Sequence, residues 1–239
     1  METNAASLNR RAFIYQLLAG SGLGIAGLPG FIRTAHGMDK LSVTQGMRKV
    51  RGDVKINGVS AEVGTLVKYG DVVTTGPDSY AVFVIDKSAY LVRDNTHVEL
   101  SGETSGQYKE KIVNILRIIS GKMLSVFGRR KRFIITQTAV MGIRGTGIYV
   151  ETEAERTYVC TCYGVADINA KADPEAKVTV KTFHHESPKF VYASGQDQLI
   201  VKAPVRNHTD AELIMLESLV WRNPPFVKEE GNGGGGGGY

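Results

Sequence analysis

The sequence predicts a mainly β fold: an antiparallel sandwich or roll with one short helix near its C-terminus. Three observations carry this prediction. From Val43 onward, apolar residues recur with period two in short runs, the pattern of strands with one buried face. Turn chemistry rich in Gly, Asn, Asp and Pro interrupts those runs roughly every ten residues. The intervals between runs are too short for the crossover helices that parallel strands need.

The first segment, residues 1–37, is set apart from the fold. Asn9-Arg10-Arg11-Ala12-Phe13-Ile14 resembles the twin-arginine export motif. Leu17 to Ile32 follows as an apolar region diluted by five glycines, and Ala35-His36-Gly37 offers small residues for a signal peptidase before Met38. A cleaved signal is the expectation, which places the protein in the periplasm or outside the cell. The alternative is an uncleaved anchor in the inner membrane, since Ala12 to Ile32 is just long enough to span a bilayer but glycine-rich for a helix. Such leaders resemble those of proteins exported already folded, often with a cofactor in place.

The β region is expected over residues 43–201. Val50, Gly52, Val54 and Ile56 lead into Asn57-Gly58, a tight-turn signal. Val63-Gly64, Leu66-Val67 and Tyr69 to Val73 continue the pattern, and Thr75 to Ser79 turns. Tyr80 to Ile85 and Ser88 to Val92 are strands around Asp86-Lys87, and Val98 to Leu100 is another. Ser101 to Gln107 reads as a polar loop, and Ile112 to Ile119 as a buried strand or short helix. Ser120-Gly121-Lys122 reads as a turn into Met123 to Phe127. Phe133 to Ile135, Ile148 to Val150 and Thr157 to Cys162 are further strands. Gly142, Gly145 and Gly147 between them call for a bend or bulge.

An ordered series of these residues resembles the FecR domain. It begins with Val50-Arg51-Gly52-Asp53-Val54, Val63-Gly64, Leu66 and Gly70 to Thr75. It continues through Ala81-Val82-Phe83, Val98-Glu99-Leu100 and Ile119-Ser120-Gly121-Lys122. It closes with Thr138-Ala139-Val140, Gly142-Ile143-Arg144-Gly145-Thr146 and Tyr163 to Ala166. The resemblance spans about Val43 to Ile168. It implies an all-β domain outside the cytoplasm. The named sensors of that family sit in the inner membrane and relay a transporter signal to a sigma factor held by a preceding cytoplasmic domain. Only about ten residues precede the twin arginines here, so the domain and its location are expected without the sigma-factor circuit.

Length and composition bound the function. The chain has 239 residues, 42% hydrophobic and 22% charged, which suits one domain with attachments. A net charge of +5 is a mild bias that permits contact with anionic lipid or cell-wall polymer. No zinc-finger, P-loop or RNA-binding aromatic pattern occurs, so a nucleic-acid partner is not expected. No nucleophile elbow or paired-carboxylate motif stands out, and an enzyme is the less favoured class. The partner is expected to be an envelope ligand or protein, with a structural envelope protein that uses its sheet as an assembly surface as a further alternative. Arg129-Arg130-Lys131-Arg132 reads as a solvated hairpin tip, with a lipid- or polymer-facing patch as the alternative.

The candidate chemistry sits on Cys160 and Cys162, the only cysteines. Alternation puts them on one strand face with Tyr158. Residues two apart on a strand are separated by about 6.6 to 6.8 Å, which makes a disulfide between them unfavourable. Two thiolates on one face are half of a tetrahedral metal site. His184, His185 and His208 are the candidates for the other half, with zinc or iron as the ion. Adjacent strand residues face opposite ways, so at most one of His184 and His185 is expected to join the cysteines unless the strand bends. A catalytic or redox thiol and a pair of inert core cysteines are the other readings.

The last element is a helical cover over residues 202–226. Thr209-Asp210-Ala211-Glu212 is a capping box, with Leu213, Ile214, Leu216, Leu219 and Val220 at helical spacing and Asn223-Pro224-Pro225 as the stop. Trp221 is a candidate anchor for it. Residues 227–239 are a glycine-rich tail expected to be disordered.

Overall fold

The computed structural model describes residues 43–104 and 112–227. The segment expected to be an export signal and nearly all of the glycine-rich tail lie outside them. Fourteen strands form one mainly antiparallel sheet: β1 (Gly46–Arg51), β2 (Val54–Ile56), β3 (Val59–Ser60), β4 (Val72–Thr75), β5 (Tyr80–Ile85), β6 (Ser88–Val92), β7 (His97–Thr104), β8 (Ile112–Val126), β9 (Arg132–Ile135), β10 (Ala139–Thr152), β11 (Arg156–Ala170), β12 (Lys177–Thr182), β13 (Lys189–Tyr192) and β14 (Ile200–Lys202). The helix α1 (Asp210–Ser218) follows them. No helix among the described residues is long and apolar enough to cross a membrane.

Three long strands fold this sheet back on itself. The first half of β8 pairs with β7 and β9, and its second half with β6 and β10. β10 pairs with β9 through Val140–Ile143 and with β8 through Gly147–Thr152. β11 pairs with β13 at one end and β12 at the other. Each long strand therefore belongs to both limbs of the sheet. Between the limbs lies the main core, where Phe83, Tyr90 and Met123 of one limb meet Val73, Val98, Ile118 and Ile134 of the other.

Glycines make the corners. Gly121 in β8 has φ +90°, and a Cβ there would stand 2.6 Å from the Thr96 Cα. Gly164 in β11 has φ +92°, and a Cβ there would stand 2.6 Å from the Gly145 carbonyl oxygen. Register shifts in β10 fall between Arg144 and Ile148, where the glycine run predicted a bulge. Only glycine meets both the left-handed backbone and the close approach. Gly164→Ala is accordingly expected to destabilise the domain by about 2 kcal/mol or more, lowering Tm by about 4 to 8 °C. A thermal melt shifted by less than a degree would contradict the corner role.

Several local expectations are corrected. Ser120-Gly121-Lys122 is a bend inside β8 rather than a turn between strands, because left-handed glycine serves corners as well as turns. Ser101 to Thr104 continues β7, since its backbone pairs with Ile112–Ile115 and ladder bonds need no apolar side chain. Residues 105–107 of that expected loop lie outside the described residues. Ile112 to Ile119 is strand. Arg129 to Arg132 is not a hairpin tip: it carries the chain from the end of β8 to β9, which runs parallel to the start of β8. Asn57-Gly58 forms the expected tight turn, with both residues at positive φ.

The second face of one limb is also buried. Val82, Val84, Leu91, Leu124, Tyr149, Tyr158, Cys160 and Cys162 lie on it, under Leu213, Leu216 and Val220 of the C-terminal segment. The capping box of α1 forms as expected: the Glu212 amide donates to Thr209 Oγ1 (3.3 Å) and the Thr209 amide to Glu212 Oε2 (2.9 Å). Trp221 does not anchor the helix. It is 64% exposed, and its φ of +57° turns the chain away just after the cap.

Candidate metal centre

β11 delivers Cys160 and Cys162 to the face beneath α1, both fully buried and both free thiols. The alternation expected from the sequence holds through Tyr158 and Val159, the first in the cysteines' cluster and the second in the main core, but Tyr163, which strict alternation places opposite the cysteines, joins their cluster where the register against β10 shifts. His185 arrives from the loop after β12. Its backbone takes φ +50°, and its amide donates to the Cys162 carbonyl oxygen at 2.9 Å. That bond pins the loop against β11 and turns the His185 ring toward Cys160, with Nδ1 3.4 Å from Sγ. His208 comes from the segment that enters α1, and its Nε2 stands 3.0 Å from His185 Nδ1.

One ligand atom each from Cys160, Cys162, His185 and His208 lies within 4.8 Å of the other three. Tetrahedral zinc with bonds of about 2.0 to 2.3 Å places its ligand atoms about 3.3 to 3.8 Å apart, so the set is close to the size of one ion's shell. A two-iron cluster held by cysteines on one iron and histidines on the other would need the two pairs set apart by the cluster, and here they touch.

The outer ring nitrogens are already engaged. His208 Nδ1 bonds the Arg206 carbonyl oxygen at 2.7 Å, and His185 Nε2 bonds Asp210 Oδ1 at 3.0 Å. Each contact places the ring proton on the far nitrogen and leaves the inner one bare, the arrangement that metal-ligating histidines use. Two bare nitrogens and two sulfurs then face one another in a buried space. Something positive, proton or metal, must lie among them.

Electrostatics follow the same geometry. The Cys160 thiol is pulled down to about 4, first by the hydrogen bond from Cys162 and then by His185 and His208, against the opposing effect of burial. Burial, with the neighbouring Cys160 sulfur, pushes the Cys162 thiol well up. Burial lowers His185, but the hydrogen bonds and charges of Cys160 and Asp210 outweigh it and raise the ring. Without an ion the pocket thus favours the charged forms of Cys160 and of the His185 ring, each for the sake of the other.

The segment carrying His208 is tied down on both sides. Glu151 of β10, 6% exposed, accepts from Arg206 (2.5 Å), Asn207 (2.6 Å) and Tyr149 (2.7 Å). Arg93 donates to the Asn207 carbonyl oxygen (2.9 Å) and to Glu212 (2.7 Å). The Tyr149 ring stacks on His208 with centroids 4.6 Å apart. At the far end of α1, buried Glu217 pairs with Arg222 (2.5 Å) and bonds Tyr163.

Of the five residues singled out from sequence, four converge. His184 does not join them. Its Nε2 bonds both Asp210 oxygens, at 2.9 and 3.0 Å, and Phe226 lies over its ring. Adjacent side chains diverge, and the left-handed turn at His185 sends that residue inward and leaves His184 half exposed. Sequence reasoning missed Asp210 and Glu151. Asp210 sits two residues after His208 in the helix's first turn, so a carboxylate beside a candidate ligand was the available signal. Glu151 gave none, because its partners in the His208 segment lie 55 and 56 residues away.

No family model matches the chain, and no curated protein matches it. Among solved structures, two crystal structures of a candidate anti-sigma factor from Parabacteroides distasonis match at 12% identity, with TM-scores of 0.44. The match covers 55% of this chain, and this chain spans 58% of that one.

Proposed function

We propose that this chain is an exported FecR-like binding or regulatory domain, and that Cys160, Cys162, His185 and His208 hold one zinc ion that fastens its C-terminal cover to its sheet. The convergence of four ligand atoms carries the reading, with both histidines already oriented by outer partners. Four protein ligands leave no open position, so the ion's role is structural: it links β11, the β12–β13 loop and the entry to α1. Zinc is favoured over iron because a closed tetrahedral sulfur–nitrogen set suits an ion with no redox chemistry of its own. The FecR-like motif series supports the reading, since most of its pieces fall in order on β1–β2, β4, β5, β7, β8, β10 and β11, with Val63 to Leu66 in the loop before β4. The twin-arginine-like leader supports export of a folded, loaded protein.

A second reading rests on one observation. Cys160 Sγ, His185 and Asp210 also line up as nucleophile, base and orienting carboxylate. Full burial of Cys160 beneath α1 weighs against it, and it leaves Cys162 and His208 without a role. Elemental analysis of protein purified from its own envelope separates the two. The zinc reading expects one zinc per chain and thiols that resist alkylation until a chelator is added. Metal-free protein with a thiol that alkylates fast near neutral pH would favour the enzyme.

A further inference from the structure

Arg132 opens β9 and is only 4% exposed. Its Nη1 donates to the Tyr69 hydroxyl at 2.7 Å, and its guanidinium carbon stands 5.7 Å from the Phe127 ring centroid. Among the described residues no carboxylate reaches it within ion-pair distance. Its Nε has no hydrogen-bond partner. A guanidinium held out of water without a counter-ion is costly, and the cost falls when an anion is brought to it.

Arg132 lines a cleft of about 440 Å³, a volume suited to a small ligand. Lys87, Arg129 and Arg130 line it too, all exposed. Asp86 is the one carboxylate in the lining, and it already accepts from Tyr69 at 3.2 Å. Four cations therefore face a single occupied carboxylate. Arg129 and Arg130 also border a larger cleft of about 780 Å³ that reaches Arg222, so the cationic ridge stands between two recesses.

We infer that this cleft is an anion site for a phosphate group, with Arg132 as its buried cation and Lys87, Arg129 and Arg130 around its mouth. Arginine's fork matches phosphate oxygens in pairs, and the exposed rim charges add attraction from a distance. The phosphate has two sources: a soluble phosphorylated molecule, or the headgroup of an anionic lipid. The site is independent of the metal centre.

The test titrates the full chain with inorganic phosphate at low ionic strength by calorimetry. In parallel, the protein is co-sedimented with phosphatidylglycerol and phosphatidylcholine vesicles. Phosphate should bind saturably, one per chain. The double variant Arg129→Gln/Arg130→Gln should weaken it at least about tenfold, and Arg132→Gln should abolish it. If Arg132→Gln does not fold, Lys87→Gln added to the rim pair takes its place, with loss of binding again expected. Sedimentation with phosphatidylglycerol that phosphate competes away assigns the headgroup source, and phosphate binding without sedimentation assigns the soluble one. Three outcomes overturn the site: no saturable phosphate or vesicle binding, phosphate binding unchanged by the variants, or vesicle binding that persists in Arg132→Gln, which marks diffuse surface attraction only.

Discussion

Cys160→Ser is expected to abolish the proposed zinc binding and lower Tm by about 8 to 16 °C. The estimate follows from linkage. With free zinc at about a thousand times its Kd, binding adds about 4 kcal/mol to the folded state. A domain of this size loses about 2 to 4 °C per kcal/mol. The effect should be local before it is global. The sheet keeps its main core, which contains neither cysteine. The cover loses the proposed ion that ties β11, the His185 loop and the approach to α1 to one point, and keeps only the hydrogen bonds between them. Hydrogen exchange should therefore rise first over residues 203–220 and the loop around His185, with β8 and β10 still protected. A serine variant that keeps its metal and melting point, or one that loosens the sheet and the cover together, would contradict the linking role.

Glu151→Ala is expected to cost about 3 to 5 kcal/mol and to weaken the proposed zinc binding about 10- to 100-fold, although Glu151 hydrogen-bonds none of the four proposed ligands. Removing the carboxylate strands the Tyr149 hydroxyl and Asn207 and frees Arg206, the residue whose carbonyl holds the His208 ring. Glu217→Ala is the control. That carboxylate is equally buried and pairs with Arg222, but it sits at the other end of α1. A similar loss of stability with unchanged zinc affinity is expected there. Urea unfolding and competition against a chromophoric chelator give the two readouts. Equal loss of affinity in both variants would mean that Glu151 acts only through general stability.

How much of this was legible in the sequence depended on range. Strand alternation placed Cys160 and Cys162 on one face without any tertiary information, because a pleat alternates whatever surrounds it. The capping box at Thr209 was equally local. Which histidine would join the cysteines was not, because it turns on one left-handed residue, His185, and on an amide bond to the Cys162 carbonyl. Gly121 misled for a related reason: a positive-φ glycine marks a change of direction, but not whether the strand ends or bends. Arg132 looked like its three exposed neighbours because charge runs carry no sign of burial. Only the crossover from β8 to β9 draws it inward against Tyr69 and Phe127. Pairings across 55 residues or more, such as Glu151 with Arg206, leave no periodic trace at all.

The most direct measurement is X-ray absorption at the zinc edge on protein isolated with its metal. A first shell of two sulfurs at about 2.3 Å and two nitrogens at about 2.0 to 2.1 Å is the predicted result. A shell of nitrogen and oxygen alone, or protein isolated from its own compartment with no stoichiometric metal, would contradict it.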